Sequence, residues 1–553
     1  MLFRSFAATL LFVASAVAAS AANWRSRSVY QVVTDRFATT NGLASLCDPS
    51  ARKCCGGTWQ GLINRLDYIQ NMGFDAVWIS PVSANVEEET AYGDAYHGYW
   101  TRDLNTLNPK FGTPGDLKAL SSALHDRNMY LMVDVVVNHY VAPPTNISEK
   151  IPQSFDFTSL APFTSANDFH PQCFITDASN QTEVEQCWLG DASLPLLDVD
   201  TENPTNSEML RSWIADLVLE YNIDGLRISA ARYIRQSFWR DFTGASGVFA
   251  IGEILSDNVS YTSEYTQVLD AVLDYPTWFT LVEAFSGAKG NFDSLMRTVL
   301  ESQEKYASGL CMTGSFVENY DQPRFPSFIK DDSLIKNAIT WPFIHDGIPI
   351  VYYGQEQGFQ GGAVPNNHES YVRTISFELH LFDSARSRLW SSDYHVYQKP
   401  LVQQIADLNA ARKLAINSKR NFLTTQMTFV PQPNDNTIAI SKPPLLALLT
   451  NAGNSSTATW TIPGDAGLFL KGQTLIDVLT CQSYNVDPIT GSLAVESRYG
   501  LPQVILPAQY LDSKGSLCPG AAQNNAHRIV LNHLSVSSVT ILICLVTTIH
   551  SFI

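Results

Sequence analysis

The sequence predicts an α/β chain built on a (β/α)8 TIM barrel, with a domain inserted after the third strand and an antiparallel β domain at the end. From residue 29 to about residue 415, short apolar β-rich runs alternate with amphipathic segments, and after residue 415 short alternating runs replace them. Continuous apolar strands separated by helices indicate a parallel sheet covered on both faces. About eight such units over this length favour a closed barrel over an open sheet.

The individual elements follow in order along the chain. Apolar residues recur at helical spacing in TWQGLINRLDYIQNMG and DLKALSSALHDRN. Strands are predicted in the runs SVYQVVTDRF, DAVWIS, MYLMVDVVVNH, IDGLRIS, VFAIGEI, TGSFVEN and IPIVYYG. No G-x-G-x-x-G or P-loop pattern follows any of these strands, so the sequence does not support nucleotide binding.

Two departures from the regular alternation define the domains. More than eighty residues separate VVVNH from IDGLRIS, which is far more than one crossover needs, so we expect an inserted domain over residues 140–205. The barrel then comprises residues 23–139 and 206–414. The later runs TTQMTFV, TIAISK, LLALLTN, TATWTI and TLIDVLT are typical of an antiparallel β domain, which we place at residues 415–519.

The net charge restricts the possible binding partners, and the first residues of the chain indicate its cellular compartment. The net charge of -17 argues against nucleic acid and anionic membrane surfaces as partners. Residues 1–22 carry Arg4, a short apolar run and small residues in Ala-x-Ala patterns, which predict a secretory signal peptide. Oligomeric state is not readable from these features, and a monomer is the default expectation.

The last twenty residues, LSVSSVTILICLVTTIHSFI (534–553), form a hydrophobic tail without a basic stop. A polar spacer and small residues precede the tail over residues 520–533, with an attachment residue expected between Gly520 and Asn525. This arrangement matches a GPI-anchor signal, and a single tail-anchoring helix is the alternative. We therefore expect a secreted protein, GPI-anchored at the cell membrane or in the cell wall, with N-glycosylation sequons at Asn146, Asn180, Asn258 and Asn454.

Acidic residues stand at three predicted strand ends, where the chemistry of such barrels is located. They are Asp134 in VDVVVNH, Glu253 in IGEIL and Asp321 in FVENYD. Each alone is most often a solvated or ion-paired residue, but three at the strand ends of one barrel suggest a shared site. Glycoside hydrolysis needs a protonated carboxyl for the leaving oxygen and a second carboxylate against the developing oxocarbenium ion.

The chain closely resembles the α-amylase family of glycoside hydrolases, especially secreted fungal α-amylases and their GPI-anchored cell-wall relatives. The similarity runs from about residue 24 to about residue 518. Its motifs include CGGTWQGLINRLDYIQNMGFDAVWISPV, TAYGDAYHGYW, QCWLGDASLP, YNIDGLRI, GEIL, FVENYDQPRF and DGIPIVYYGQEQ. The resemblance implies a (β/α)8 catalytic domain, a calcium-bearing inserted domain after the third strand, and a C-terminal β-sandwich.

The resemblance also implies roles for single residues. Glu253 matches the general acid/base, Asp321 the transition-state stabiliser, and Asp134 belongs to the network around the third strand. Sugars present apolar faces to aromatic rings and hydroxyl pairs to fixed polar groups. The positions that match substrate-binding residues are His97, Tyr99, Trp100, His139, Arg227, Arg232, Tyr320 and Arg324.

Calcium and three disulfides are implied in the same way. A hard cation prefers several oxygen ligands, and the matching set is Asn138, Glu185, Asp198 and the backbone carbonyl of Tyr233. Nine cysteines in a secretory chain indicate disulfides, and eight remain once Cys544 leaves with the tail. The resemblance pairs Cys47 with Cys55, Cys173 with Cys187 and Cys481 with Cys518. Cys54 and Cys311 are left over, either to pair or to stay free.

Ser229, in GLRIS, breaks the family pattern because it stands where the family has its nucleophilic aspartate. A retaining glycosidase forms a covalent glycosyl ester through that carboxylate. Serine offers neither the charge nor the reach, so turnover should fall on the order of 10^4–10^6-fold. The chain departs from the family at three further places. Tyr320 occupies a position where the family has a histidine, and Arg232-Tyr233 replace a Lys-His pair. Val364 and His368 occupy positions where fungal α-amylases have an aspartate and an arginine.

Two hypotheses of different classes follow. In the first, the protein acts on α-1,4-linked glucan at the fungal cell surface, by hydrolysis or by 4-α-glucanotransfer. In the second, it is a catalytically inactive α-glucan-binding protein of the cell wall. An inverting route through a water in the place of the missing carboxylate would need a correctly placed base.

Overall fold

Eight parallel strands close into a barrel in which every strand pairs with its neighbours in chain order. The computed structural model describes residues 20–42, 47–142, 153–371, 399–511 and 517–519. The barrel strands are β1 Val29–Gln31, β2 Ala76–Ile79, β3 Tyr130–Val135, β4 Gly225–Ile228, β5 Phe249–Gly252, β6 Ala271–Leu273, β7 Thr313–Ser315 and β8 Ile348–Tyr352. The predicted fold class is therefore confirmed.

These strands are buried along almost their whole length, because helices cover the outside of the barrel and side chains fill the inside. The α-helices are Ala21–Trp24, Thr34–Phe37, Trp59–Ile63, Leu66–Asn71, Pro114–His125, Gln181–Gln186, Pro204–Tyr221, Gln236–Ser246, Val259–Tyr265, Tyr275–Ala284, Phe292–Lys305, Phe325–Phe328, Asp332–Ile344 and Pro400–Ser418. The segment TWQGLINRLDYIQNMG forms two short helices, since Arg65 leaves the helical backbone region (φ -124°, ψ 9°).

The segment between β3 and β4 contains the inserted domain. Its small antiparallel sheet consists of His139–Tyr140, Leu189–Asp191 and Leu194–Asp198. The disulfide Cys173–Cys187 ties the helix Gln181–Gln186 to the loop before it. A barrel hairpin, Ser83–Asn85 with Thr101–Leu107, packs beside this domain.

Two antiparallel sheets form the C-terminal domain. The strands are β9 Thr428–Val430, β10 Thr437–Lys442, β11 Leu445–Thr450, β12 Thr457–Ile462, β13 Thr474–Asp477, β14 Ser483–Asn485, β15 Leu493–Arg498 and β16 Gln503–Pro507. A six-stranded sheet has the order β9-β10-β11-β16-β13-β14, and β12 pairs with β15 in a second sheet. Apolar residues of both sheets, such as Leu448 and Trp460, share one core.

All three expected disulfides are formed, while Cys54 and Cys311 remain free thiols that do not pair with each other. Asn180, Asn258 and Asn454 are exposed, as glycosylation would require. Asn146, residues 1–19 of the expected signal peptide and the whole of residues 520–553 lie outside the described residues. Within the described ranges, no helix has both the length and the apolarity needed to cross a membrane.

Candidate active site

The floor of the site is an ion pair between neighbouring strands. Asp134 of β3 and Arg227 of β4 are paired in register, and Nη1 of Arg227 donates to both carboxylate oxygens at 3.0 and 2.9 Å. Tyr99 Oη and Trp78 Nε1 also donate to Asp134, at 2.7 and 3.1 Å. Burial raises the pKa of Asp134 to about 6, although Arg227 opposes the shift. The Asp134 carboxylate thus accepts four hydrogen bonds, all of them from protein groups.

Glu253 and Asp321 are the carboxylates that line the cleft itself. Glu253 follows β5, and its Oε2 accepts from Nη2 of Arg227 at 3.0 Å and from the Ala230 N–H at 2.9 Å. Ala230 makes that bond from a left-handed backbone conformation (φ 56°). Asp321 opens into the same cleft. Partial desolvation and repulsion from Glu253 raise the pKa of Asp321.

Ser229 immediately follows β4 and lies in the wall of the cleft beside Arg227, as the alternation of side chains along a strand requires. The residue is 7% exposed, and its N–H donates to the Val135 carbonyl at 3.0 Å. Its hydroxyl makes no hydrogen bond with any residue in the described part of the chain. No base is therefore positioned there to activate the hydroxyl as a nucleophile.

Aromatic rings and two neutral histidines form one side of this cleft, which has a volume of about 580 Å³. His97 Nδ1 accepts from the Tyr99 N–H at 3.0 Å, so its Nε2 carries the proton. His139 Nε2 donates to the Tyr99 carbonyl at 3.1 Å. Burial lowers the pKa of His97 to about 3 and that of His139 to about 4. Both imidazoles are hence uncharged groups suited to sugar hydroxyls.

Most expected substrate-binding residues meet in this cleft, with one exception. Those that line it are His97, Tyr99, Trp100, His139, Arg227, Arg232 and Tyr320. Arg324 is the exception, because this side chain is fully buried and does not line the cleft, so the structure does not bring it together with the other expected substrate-binding residues. Its guanidinium binds Glu318 at 3.2 Å and Glu369 at 2.9 Å, so it joins two loops behind the wall.

Several cleft residues were not singled out from the sequence. Arg52 and Tyr92 lie on the rim, and Tyr92 Oη bonds to Asp191 of the inserted domain. Tyr92 belongs to the motif TAYGDAYHGYW, which could have drawn attention to it. Leu255 likewise belongs to the motif GEIL, whereas Arg52 carries no comparable signal, because only the folded loops bring it to the rim.

Two of the expected calcium ligands, Asn138 and Asp198, are brought together by the small sheet of the inserted domain. Asn138 lies beside Asp198, since His139 pairs with Asp198 across the small sheet of the inserted domain. The Asn138 Oδ1 atom is buried and lacks a hydrogen-bond partner among the described residues, while Asp198 accepts from His170 Nδ1 at 2.7 Å.

The other two expected ligands lie where the inserted domain meets the barrel, Glu185 on the helix Gln181–Gln186 and Tyr233 on the barrel side. Glu185 Oε1 accepts from Gln181 Nε2 at 2.7 Å, and the same amide reaches the Arg232 carbonyl, next to Tyr233, at 3.3 Å. An unpartnered buried amide oxygen beside a buried carboxylate suits a hard cation. Among the described residues, a separate group that could hold a metal consists of His170, Asp200 and Glu202.

Together, a (β/α)8 barrel, carboxylates at its strand ends and an aromatic cleft define the architecture of a glycoside hydrolase. The chain matches the α-amylase catalytic domain over residues 31–419 and α-amylase domain C over residues 432–526. It therefore belongs to the α-amylase family.

Two relatives with similar sequences are α-amylases of yeasts. Alpha-amylase 1 of Lipomyces kononenkoae is 41% identical over 91% of this chain and 77% of its own length. Alpha-amylase 2 of Schwanniomyces occidentalis is 38% identical over 90% of this chain and 93% of its own length. Among solved structures, an α-amylase from Malbranchea cinnamomea superposes with a TM-score of 0.82, at 39% identity, covering 90% of this chain and all of that one.

Proposed function

We propose that this α-amylase-type protein binds α-1,4-linked glucan in its cleft at the cell surface, without turnover through a covalent intermediate. The family acts on α-glucan, and the cleft offers the aromatic faces and neutral histidines that such chains require. Calcium, held by Asn138, Asp198, Glu185 and the Tyr233 carbonyl, would stabilise the inserted domain. Surface attachment rests on the expected signal peptide and GPI signal, and release of the protein from cells by a phosphatidylinositol-specific phospholipase C tests it.

The observation that carries the loss of turnover is Ser229 at the end of β4. A retaining mechanism needs a carboxylate there, and the hydroxyl of Ser229 is hydrogen-bonded to none of the described residues that could act as a base. Arg227, which flanks this position, instead binds Oε2 of Glu253 at 3.0 Å. The expected acid/base is therefore tied to the floor of the site.

Hydrolysis or transfer by another route is the competing function, and the retention of Glu253 and Asp321 favours it. An inverting enzyme separates its two carboxyl groups by about 6.5–9.5 Å to admit the attacking water. Such a water would take the place of the missing carboxylate beside Ser229, where Arg227 is the charged neighbour and the Ser229 hydroxyl hydrogen-bonds no described residue, so no base is held there. The geometry therefore supports binding better than inversion.

The test compares wild type with Ser229→Asp, Ser229→Asn and Glu253→Gln. Each protein is titrated calorimetrically with maltoheptaose and then incubated with it, and the products are chromatographed. We expect wild type to bind without forming products and Ser229→Asp to release shorter maltooligosaccharides. Ser229→Asn, similar in size to aspartate but uncharged, should stay inactive. Wild-type turnover that disappears in Glu253→Gln would show instead that the protein is an enzyme.

A further inference from the structure

Tyr320 is the aromatic residue of the cleft wall that directly precedes Asp321. Its ring is partly exposed, and no described residue hydrogen-bonds its hydroxyl. The ring of Tyr99, which also lines the cleft, lies 4.9 Å away at an angle of 42°. The exposed part of Tyr320 is therefore available to a ligand.

His368 supports the Tyr320 ring from behind. The two rings are stacked, with centroids 4.1 Å apart and an interplanar angle of 18°. The imidazole is fully buried and does not line the cleft. Its Nε2 donates to the Tyr320 carbonyl at 2.9 Å, while its Nδ1 accepts from Tyr96 Oη at 2.7 Å. Because both nitrogens are engaged, the plane of the imidazole is fixed.

The loop that carries His368 is anchored to the loop that carries Tyr320. Asn367 Nδ2 donates to the Tyr320 carbonyl at 2.6 Å. The buried Arg324 donates to the Asn367 carbonyl at 3.1 Å and pairs with Glu369 and Glu318. The stacked pair is consequently held before any ligand arrives, and such preorganisation lowers the entropic cost of binding.

We infer that Tyr320, backed by His368, is a sugar-binding platform on which the C–H face of a glucosyl unit packs beside Asp321. The inference rests on the proposed function, because it names a contact within the same glucan-binding cleft. Stacking uses the ring face and leaves the phenol hydroxyl dispensable. Tyr320 is then a ligand-contacting residue, whereas His368 acts through it as a positioning residue.

Calorimetric titration of the purified protein with maltoheptaose tests the contact by Tyr320. We expect Tyr320→Ala to weaken binding about 3- to 10-fold and Tyr320→Phe to stay within about twofold of wild type. Tyr499→Ala is the matched control, since Tyr499 is 68% exposed on the C-terminal domain. If wild type binds and Tyr320→Ala binds equally well, this inference alone fails. If wild type binds no maltoheptaose, the proposed function fails with it.

The positioning role has its own test. His368→Ala should weaken maltoheptaose binding, although His368 does not reach the cleft. His368→Phe keeps an aromatic ring behind Tyr320 and should recover part of the affinity, while melting curves check that both variants fold. Equal losses in the two variants would overturn the role of the stack. Should neither variant fold, the Tyr320 substitutions still decide whether the platform exists.

Discussion

Arg227 is the cation that two carboxylates of the cleft share, Asp134 through two hydrogen bonds and Glu253 through one ion pair. Its guanidinium also lies 5.2 Å from the Trp78 ring centroid. A buried charge pair contributes little net stability while it is intact. Removal of one partner is costly, since the other charge then remains buried without compensation.

We therefore expect Arg227→Met to lower the free energy of unfolding by about 3–5 kcal/mol. Urea denaturation of the variant and of wild type measures the difference. Arg211→Met serves as the control, because Arg211 pairs with Glu208 on the surface and such pairs contribute about 1 kcal/mol or less. Similar losses in both variants would contradict the central role assigned to the Arg227 pairs.

Their places at predicted strand ends singled out Glu253 and Asp321, whereas most of the cleft wall was expected only from the resemblance to the α-amylase family. Neither source predicted the environment of Arg324. Its place in the motif FVENYDQPRF suggests that the side chain lines the cleft, but in the structure Arg324 directly precedes the helix Phe325–Phe328 and is fully buried. The stack of Tyr320 on His368 joins residues 48 positions apart. Such a contact depends on two loops meeting in space, and no local pattern records it.

At the scale of elements, the barrel was predictable wherever its strands are long apolar runs. β6 was not named in advance, since only Ala271–Leu273 pair as a strand and no extended apolar run marks them. The three pairings of β3 with β4, β4 with β5 and β1 with β2 follow directly from apolar segments. A short strand such as β6 forms because its neighbours in the closed sheet pair with it, so its own residues are not enough to predict it.

The inserted domain meets the barrel through the helix Gln181–Gln186, which packs on the turn Ala231–Tyr233. Glu185 and the Tyr233 carbonyl lie on this junction, whereas Asn138 and Asp198 lie on the small sheet. A cation bound by all four would therefore link the two parts, and metal binding contributes directly to folded-state stability.

We expect a chelator to lower the melting temperature and added Ca²⁺, but not Mg²⁺, to restore it. Asn138→Ala removes the unpartnered amide oxygen and should make the melting temperature insensitive to the chelator. Differential scanning calorimetry in EDTA and in excess Ca²⁺ measures both effects. An identical melt of wild type in the two buffers would exclude this set of residues as a calcium site.

At the scale of the whole molecule, a buried ion pair joins the barrel to the C-terminal domain. Lys442, at the end of β10, binds Asp346, which lies between the helix Asp332–Ile344 and β8. Asp346 also accepts from the Met427 N–H at 2.8 Å and from Gln303 Nε2 at 3.0 Å. Both charged side chains are almost inaccessible to solvent. We infer that the two domains unfold together.

Lys442→Met tests this coupling, because it leaves the Asp346 carboxylate buried at the domain junction without its cation. We expect a loss of about 3–5 kcal/mol in unfolding free energy, measured by urea denaturation with probes in both domains. Adding Asp346→Asn removes the stranded charge and should recover part of the loss. Lys471→Met, an exposed lysine of the same domain, should change stability little. If Lys442→Met matches this control, the ion pair does not join the domains, since an uncompensated buried carboxylate cannot be neutral in energy.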